Sequence, residues 1–259
     1  MLKGYDRIVK PLERSFERSI VNILGKQTKA IVSRFKAYMK EKKDDNKITE
    51  EQAEKVAEEI TDKIFKPNEG VQTIMTALLP HYINAGELGN KFFNQIHYIN
   101  EEDGEVLFSI LRDDYFEWLE EYGATQIVNI NTTTRNITKK IIKDGMYNGD
   151  TIDMIADNLI NNIGEYTKTR ARVIAETEVH NTFSFVNNLT AVKSGFKYKK
   201  WVSSRDESVR PNHQKYDSMD MIKIDEEFSP GLKYPGDYNA PPSETVRCRC
   251  VLRYEIEKD

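Results

Sequence analysis

Both cysteines of the chain lie two residues apart near its end, Cys248 and Cys250 in "TVRCRC". The segment around them, "TVRCRCVLRYEIE", alternates apolar and polar residues as a strand does. On a strand, residues two apart project to one face, which puts the two thiols side by side and poorly placed to bond each other. The sequence holds no third cysteine. Two readings stand: a pair of small apolar core residues, or two thiolate ligands for a metal, zinc first. Zinc takes about four ligands. The upstream loop "RDESVRPNHQKYD" offers His213 first, with Asp206 or Asp217 next. With a fourth ligand not evident, no cofactor is assigned firmly and zinc stays open at His213, Cys248 and Cys250. The preference is for a metal-free, packed pair that fastens the last strand beneath the loop.

The same loop could serve hydrolysis, because Asp206, Glu207 and His213 could hold a metal-bound water. A metal-dependent nuclease or toxin-like effector is therefore the alternative function. Against it, a stretch rich in Pro, Gly, Asp and Asn uses those residues for turns. Neither HExxH nor a P-loop occurs. The expectation is a protein without turnover. Trp201, with Tyr198, Phe228 and Tyr234, reads as the small core of a β element and not as a base-stacking platform.

These side chains need elements to position them. A long helix is predicted from about Thr169 to Ser194, stopped by Gly195. One stripe on it is Ala175, Val179, Phe183, Val186 and Leu189; the adjacent stripe is Ile174, Glu178, Asn181, Phe185 and Asn188. Glu178 thus belongs at the edge of a buried face, where it needs a partner. An Arg or backbone amides of the β element would supply one. "YKKWVSS" alternates as a strand, and 203–245 is loop-rich.

Upstream, Leu12 to about Met39 reads as one helix with Pro11 in its first turn, followed by a polar turn "KEKKDDNK" at 40–47. Thr49 and Gln52 form a capping box for a helix to about Ile64, which Pro67 closes. From Gly70 to Tyr98 the helical pattern is interrupted at Pro80 and at Gly86 to Gly89, and another helix surrounds "EVLFSILRDDYFEWLEEYG". "NINTTT" at 129–134 marks a boundary. Beyond it a short helix ends at Gly145, and Asp150 with Asp153 caps a helix that ends at Gly164. The fold class is α+β: a mainly α-helical N-terminal domain, 1–135, and a helical domain with a small β element, 136–259.

The chain has 259 residues with a net charge of −4, and 31% of them are charged. This argues against a protein that coats nucleic acid with its whole surface. Charge is uneven: residues 1–45 hold 12 Lys and Arg against 6 Asp and Glu. That basic stretch could touch DNA locally, though a solvated helix face explains it more simply. No apolar run is long enough for a bilayer, and "MLKGYDRIVKPLERSF" carries charges where a signal peptide would be apolar. A reducing cytoplasm is the expected place of folding, with no membrane partner.

Four ordered motifs now bear on identity: "R-A-x-x-I-A-x-T-E" (Arg170, Ala171, Ile174, Ala175, Thr177, Glu178) followed by Asn181; "K-x-W" (Lys199, Trp201); "D-x-x-V-R-x-x-H" (Asp206, Val209, Arg210, His213); and the terminal "CRC". Over roughly 136–254 the chain resembles the Mu F-like head morphogenesis domain of tailed bacteriophages. The resemblance implies a minor head protein, located in the virion inside the head and in the host cytoplasm during assembly. It implies docking on the portal protein, with the major capsid or scaffolding protein as further partners. Some members carry cysteines at the positions of Arg210 and His213, which with the final CxC would make a four-cysteine, zinc-like set. Here those positions are Arg and His, and an Arg replaces the Asn the family tends to have before its CRC. The chain ends nine residues beyond its last cysteine, so no toxin domain is expected after it.

Overall fold

The computed structural model describes residues 2–41 and 49–257. Five helices carry most of it: α1 (Leu2–Glu41), α2 (Glu50–Ile64), α3 (Pro67–Ile96), α4 (Glu101–Asn148) and α5 (Ile152–Lys193). The three strands β1 (Tyr198–Val202), β2 (Ile222–Lys223) and β3 (Val251–Glu255) form an antiparallel sheet in the order β2-β1-β3. Two short helices, α6 (Pro211–Ser218) and α7 (Pro242–Thr245), sit in the connections. The α+β class is as expected. None of the helices among the described residues is long and apolar enough to cross a membrane.

Several interruptions read from the sequence are absent. Pro11 and Pro80 lie inside α1 and α3. Both face solvent, as do Arg7 and Thr76, whose carbonyls the prolines leave without an amide donor; water can bond them there, so the helices continue. Gly86 and Gly89 do not break α3; they let it approach its neighbours. A Cβ at Gly86 would stand 2.7 Å from the Tyr115 ring, and one at Gly89 would stand 2.9 Å from the Phe183 carbonyl oxygen. The boundary at 129–134 lies within continuous α4. Its small polar residues are absorbed by the helix: Thr133 and Thr134 donate to the carbonyls four residues back, at 2.8 and 3.0 Å. Asn131 accepts from Gln27 at 2.8 Å and donates to Pro67 O at 3.2 Å. Likewise α4 runs past Gly145 and α5 past Gly164, so the two helices expected on either side of Gly164 are one. The capping box at Thr49 and Gln52 is formed, and Pro67 opens α3 directly after α2. The polar turn at 40–47 falls, beyond Glu41, outside the described residues.

The chain divides into two compact units. One comprises Glu17–Leu78 and Gly123–Ala171, the other Met1–Phe16, Leu79–Tyr122 and Arg172–Asp259. The first has a core in which Phe35, Ile60, Ile64, Ile142, Ile155 and Leu159 are buried. A ladder of ions flanks it: Lys139 bonds Glu54 and Glu58 at 2.6 Å each, Lys143 reaches Glu50 at 3.2 Å, and Arg135 pairs with Glu58 and Asp62. Both rows repeat every four residues, so α2 and α4 present matching faces. Arg170 belongs to this unit. Its guanidinium donates to Ile130 O at 2.6 Å and to Thr134 Oγ1 at 3.1 Å, clamping α5 to α4.

The second unit holds the sheet and its loops around a core of Trp201, Tyr216, Phe228, Leu232, Tyr234 and Tyr254, to which both cysteines belong. From Thr177 to Asn187 nearly every residue of α5 is buried, so the helix has no exposed face there. Polar side chains inside must be satisfied internally. Asn187 donates to Gly89 O and Phe183 O, at 3.1 and 2.8 Å, and Tyr5 OH lies 2.6 Å from His180 Nδ1.

Candidate metal centre

The terminal strand begins only at Val251, so Cys248 and Cys250 lie in the turn before it and strand alternation is not what pairs them. Arg247 makes that turn with φ at +56°, an uncommon conformation for a non-glycine residue. Two bonds from α5 hold it there: Arg247 N donates to Thr177 Oγ1 at 3.1 Å, and Arg247 Nε to Glu176 at 2.6 Å. The turn aims both sulfurs at α6. Pro211 starts α6 and brings His213 onto its first turn, with Nδ1 3.7 Å from Cys248 Sγ and 3.4 Å from Cys250 Sγ. All three side chains are at most 3% exposed, so no dissolved substrate touches them.

Their spacing fits zinc. Bonds of ~2.3 Å to sulfur and ~2.0 Å to nitrogen, set at tetrahedral angles, place S and N about 3.5 Å apart; the two observed separations, 3.7 and 3.4 Å, straddle that value. The donor set of two thiols and one imidazole suits the ion as well. Polar surroundings favour a thiolate. Cys250 is pulled below the usual thiol range, first by the hydrogen bond from Cys248 and, against its burial, also by His213 and Trp201. The Trp201 indole N–H is buried beside the cluster and makes no hydrogen bond among the described residues. Cys248, the proton-holding member of the pair, is pushed up chiefly by burial. Zinc bound here would crosslink α6 to the 248–250 turn.

The other candidates do not join this cluster. Among the described residues, the group with metal-ligating spacing is His213, Cys248 and Cys250. Asp206 is exposed and accepts from Arg249 at 2.8 Å; Asp217 accepts from Ser203 and Arg205 at 3.0 and 3.1 Å. The hydrolytic set of Asp206, Glu207 and His213 is therefore not brought together. Arg210 stands at the N-cap position of α6 without a side-chain capping bond and donates instead to Val246 O, fastening the loop to the cysteine turn. Trp201, fully buried on β1 opposite Leu252, meets the His213 ring edge-on at 4.9 Å.

Glu178 has neither an Arg nor the β element as partner. Tyr82 donates to it at 2.8 Å from α3 and Tyr122 donates from α4, while Asn181 Nδ2 donates to Tyr122 OH at 3.0 Å. Burial moves this carboxyl up to about 7 despite both bonds. Its neighbours Glu176 and Thr177 are the residues that bond an Arg, holding Arg247 at the cysteine turn. Asn181 also faces the loop after β2. Gly236, with φ at +83°, approaches so closely that a Cβ would stand 2.1 Å from Asn181 Oδ1.

Sequence reasoning named Lys199 only as part of the K-x-W motif, without a role, and passed over Glu244 and the two tyrosines. Lys199 is fully buried, and its ammonium donates to Ile224 O and Lys233 O at 2.7 and 2.8 Å, gathering the loops on either side. Burial lowers it to about 8. The K-x-W spacing was its signal, since residues two apart share one face of β1. Tyr82 and Tyr122 carry no local signal, being 96 and 56 residues from Glu178 in sequence.

Fold and site together define a mixed α+β protein whose C-terminal loops are gathered by a buried metal-type centre and a few polar clamps. Residues 136–253 match the family model of Phage Mu protein F like protein, and the chain thus carries a domain of that family. No curated protein and no solved structure matches the chain. The matched range coincides with the four motifs, and it links the chain at the family level to Mu F-like phage proteins.

Proposed function

We propose that this protein is a minor structural component of a phage head, acting by binding and not by turnover, and that it docks on the portal protein inside the head during assembly. The observation that carries this reading is the family match over 136–253. The burial of His213, Cys248 and Cys250 supports it, because a centre closed to substrates serves the fold. The major capsid or scaffolding protein is the next partner in line. Contact with packaged DNA would use the exposed Arg18, Lys26 and Lys29 of α1, since Lys10, Arg34 and Lys36 already face Asp6, Glu69 and Asp153. Co-expression with a phage portal protein, followed by size exclusion at micromolar concentration, tests the reading. Co-elution is expected; separate elution removes the docking claim.

A further inference from the structure

The His213 ring has two nitrogens, and only one faces the sulfurs. The other, Nε2, lies 2.9 Å from Glu244 Oε2. A carboxylate only accepts, so in the neutral ring this bond places the single proton on Nε2 and leaves the Nδ1 lone pair directed at Cys248 and Cys250. Glu244 is itself fixed. Its other oxygen accepts from Asn212 Nδ2 at 2.9 Å, and it sits in α7, whose first position is Pro242 following Pro241. Asn212 and His213 are adjacent on α6, so one carboxylate grips two successive side chains and sets both the tautomer and the tilt of the ring. The charges agree with this arrangement: a divalent cation is neutralised by two thiolates.

We propose that Glu244 is the positioning residue of this centre, holding His213 as the Nε2–H tautomer so that Nδ1 is the metal ligand, with Asn212 holding Glu244. The proposal rests on the metal reading of the three side chains. A carboxylate behind a ligating histidine raises its basicity and fixes its orientation, and loss of such a partner weakens metal binding about 10–100-fold.

The test uses the full chain and Zn2+ alone, in competition with a chromogenic chelator. Glu244→Ala is expected to weaken zinc about 10–100-fold, Glu244→Gln less, because the amide oxygen still accepts from Nε2–H, and Asn212→Ala less again. Long-range proton–nitrogen NMR of the four histidines reports the tautomer directly. Zinc-loaded wild type is expected to show His213 protonated at Nε2 and metal-shifted at Nδ1; in the zinc-free chain the Nε2–H tautomer is expected to be kept in Glu244→Gln and lost in Glu244→Ala. Should Glu244→Ala fail to fold, the near-isosteric Glu244→Gln carries the comparison, and an affinity equal to wild type overturns the role. Zinc bound through Nε2 in the wild type also overturns it. Wild type that takes up no zinc overturns the metal reading itself, a result distinct from either.

Discussion

Glu178 offers a sharp test of how the buried helix is built. Its carboxyl is enclosed, bonded to the Tyr82 and Tyr122 hydroxyls and pushed up to about 7 by burial. Because the folded value lies above that of the unfolded chain, the folded state binds the extra proton between them. The resulting stability is fully present below the unfolded value and is lost as pH rises through about 7. One pH unit of displacement corresponds to ~1.4 kcal/mol, so stability should fall by about 2–3 kcal/mol between about pH 5 and about pH 8 through this group alone. Glu178→Gln keeps an acceptor for the tyrosines and cannot ionise. Urea denaturation of both proteins across this range is the assay, read as the difference between them. Glu13, also raised to about 7, and His180, lowered to about 3, titrate alike in both proteins and cancel. The variant should gain on wild type by about 2–3 kcal/mol as pH rises from about 5 to about 8. Parallel curves would refute the buried, cation-free carboxylate.

Other consequences follow from the same geometry. Cys248→Ser and Cys250→Ser should each abolish stoichiometric zinc by elemental mass spectrometry, and should speed proteolysis within 203–245, since a structural metal contributes folding free energy directly. Gly89→Ala should destabilise by about 1 kcal/mol, because the backbone collision with Phe183 outweighs a propensity gain of up to ~1 kcal/mol; thermal unfolding measures it. Lys139→Ala, which cuts the centre of the α2–α4 ladder, should lower the melting temperature at low salt, and the loss should shrink in about 1 M salt, where screening falls to about 3 Å.

The parts of this protein written in local chemistry were readable from the sequence. The Thr49 and Gln52 box, the Gly195 stop at the end of α5 and the alternation of β1 each depend on residues within one turn or strand. The helix breaks were misread because Pro80, Gly86, Gly89 and the Thr-rich 129–134 stretch answer to tertiary neighbours: open water at a carbonyl, close approach of a ring, and cross-helix bonds from Asn131. At the site, His213, Cys248 and Cys250 were found by donor chemistry, although the reason given for their pairing, strand alternation, does not hold. Their convergence needs Arg247 in a left-handed turn, held by α5. Glu244 in "PPSET" resembles any acidic residue in a first helical turn, and only the fold sets it behind the histidine.

The central proposal is that the chain is built into the phage head through the portal protein. Purified heads assembled with and without the portal protein, each probed for this chain by quantitative mass spectrometry, test it most directly. The expected result is a fixed number of copies per head that falls to background when the portal is missing. Heads that lack the chain altogether, or hold it equally with and without the portal, would contradict the account.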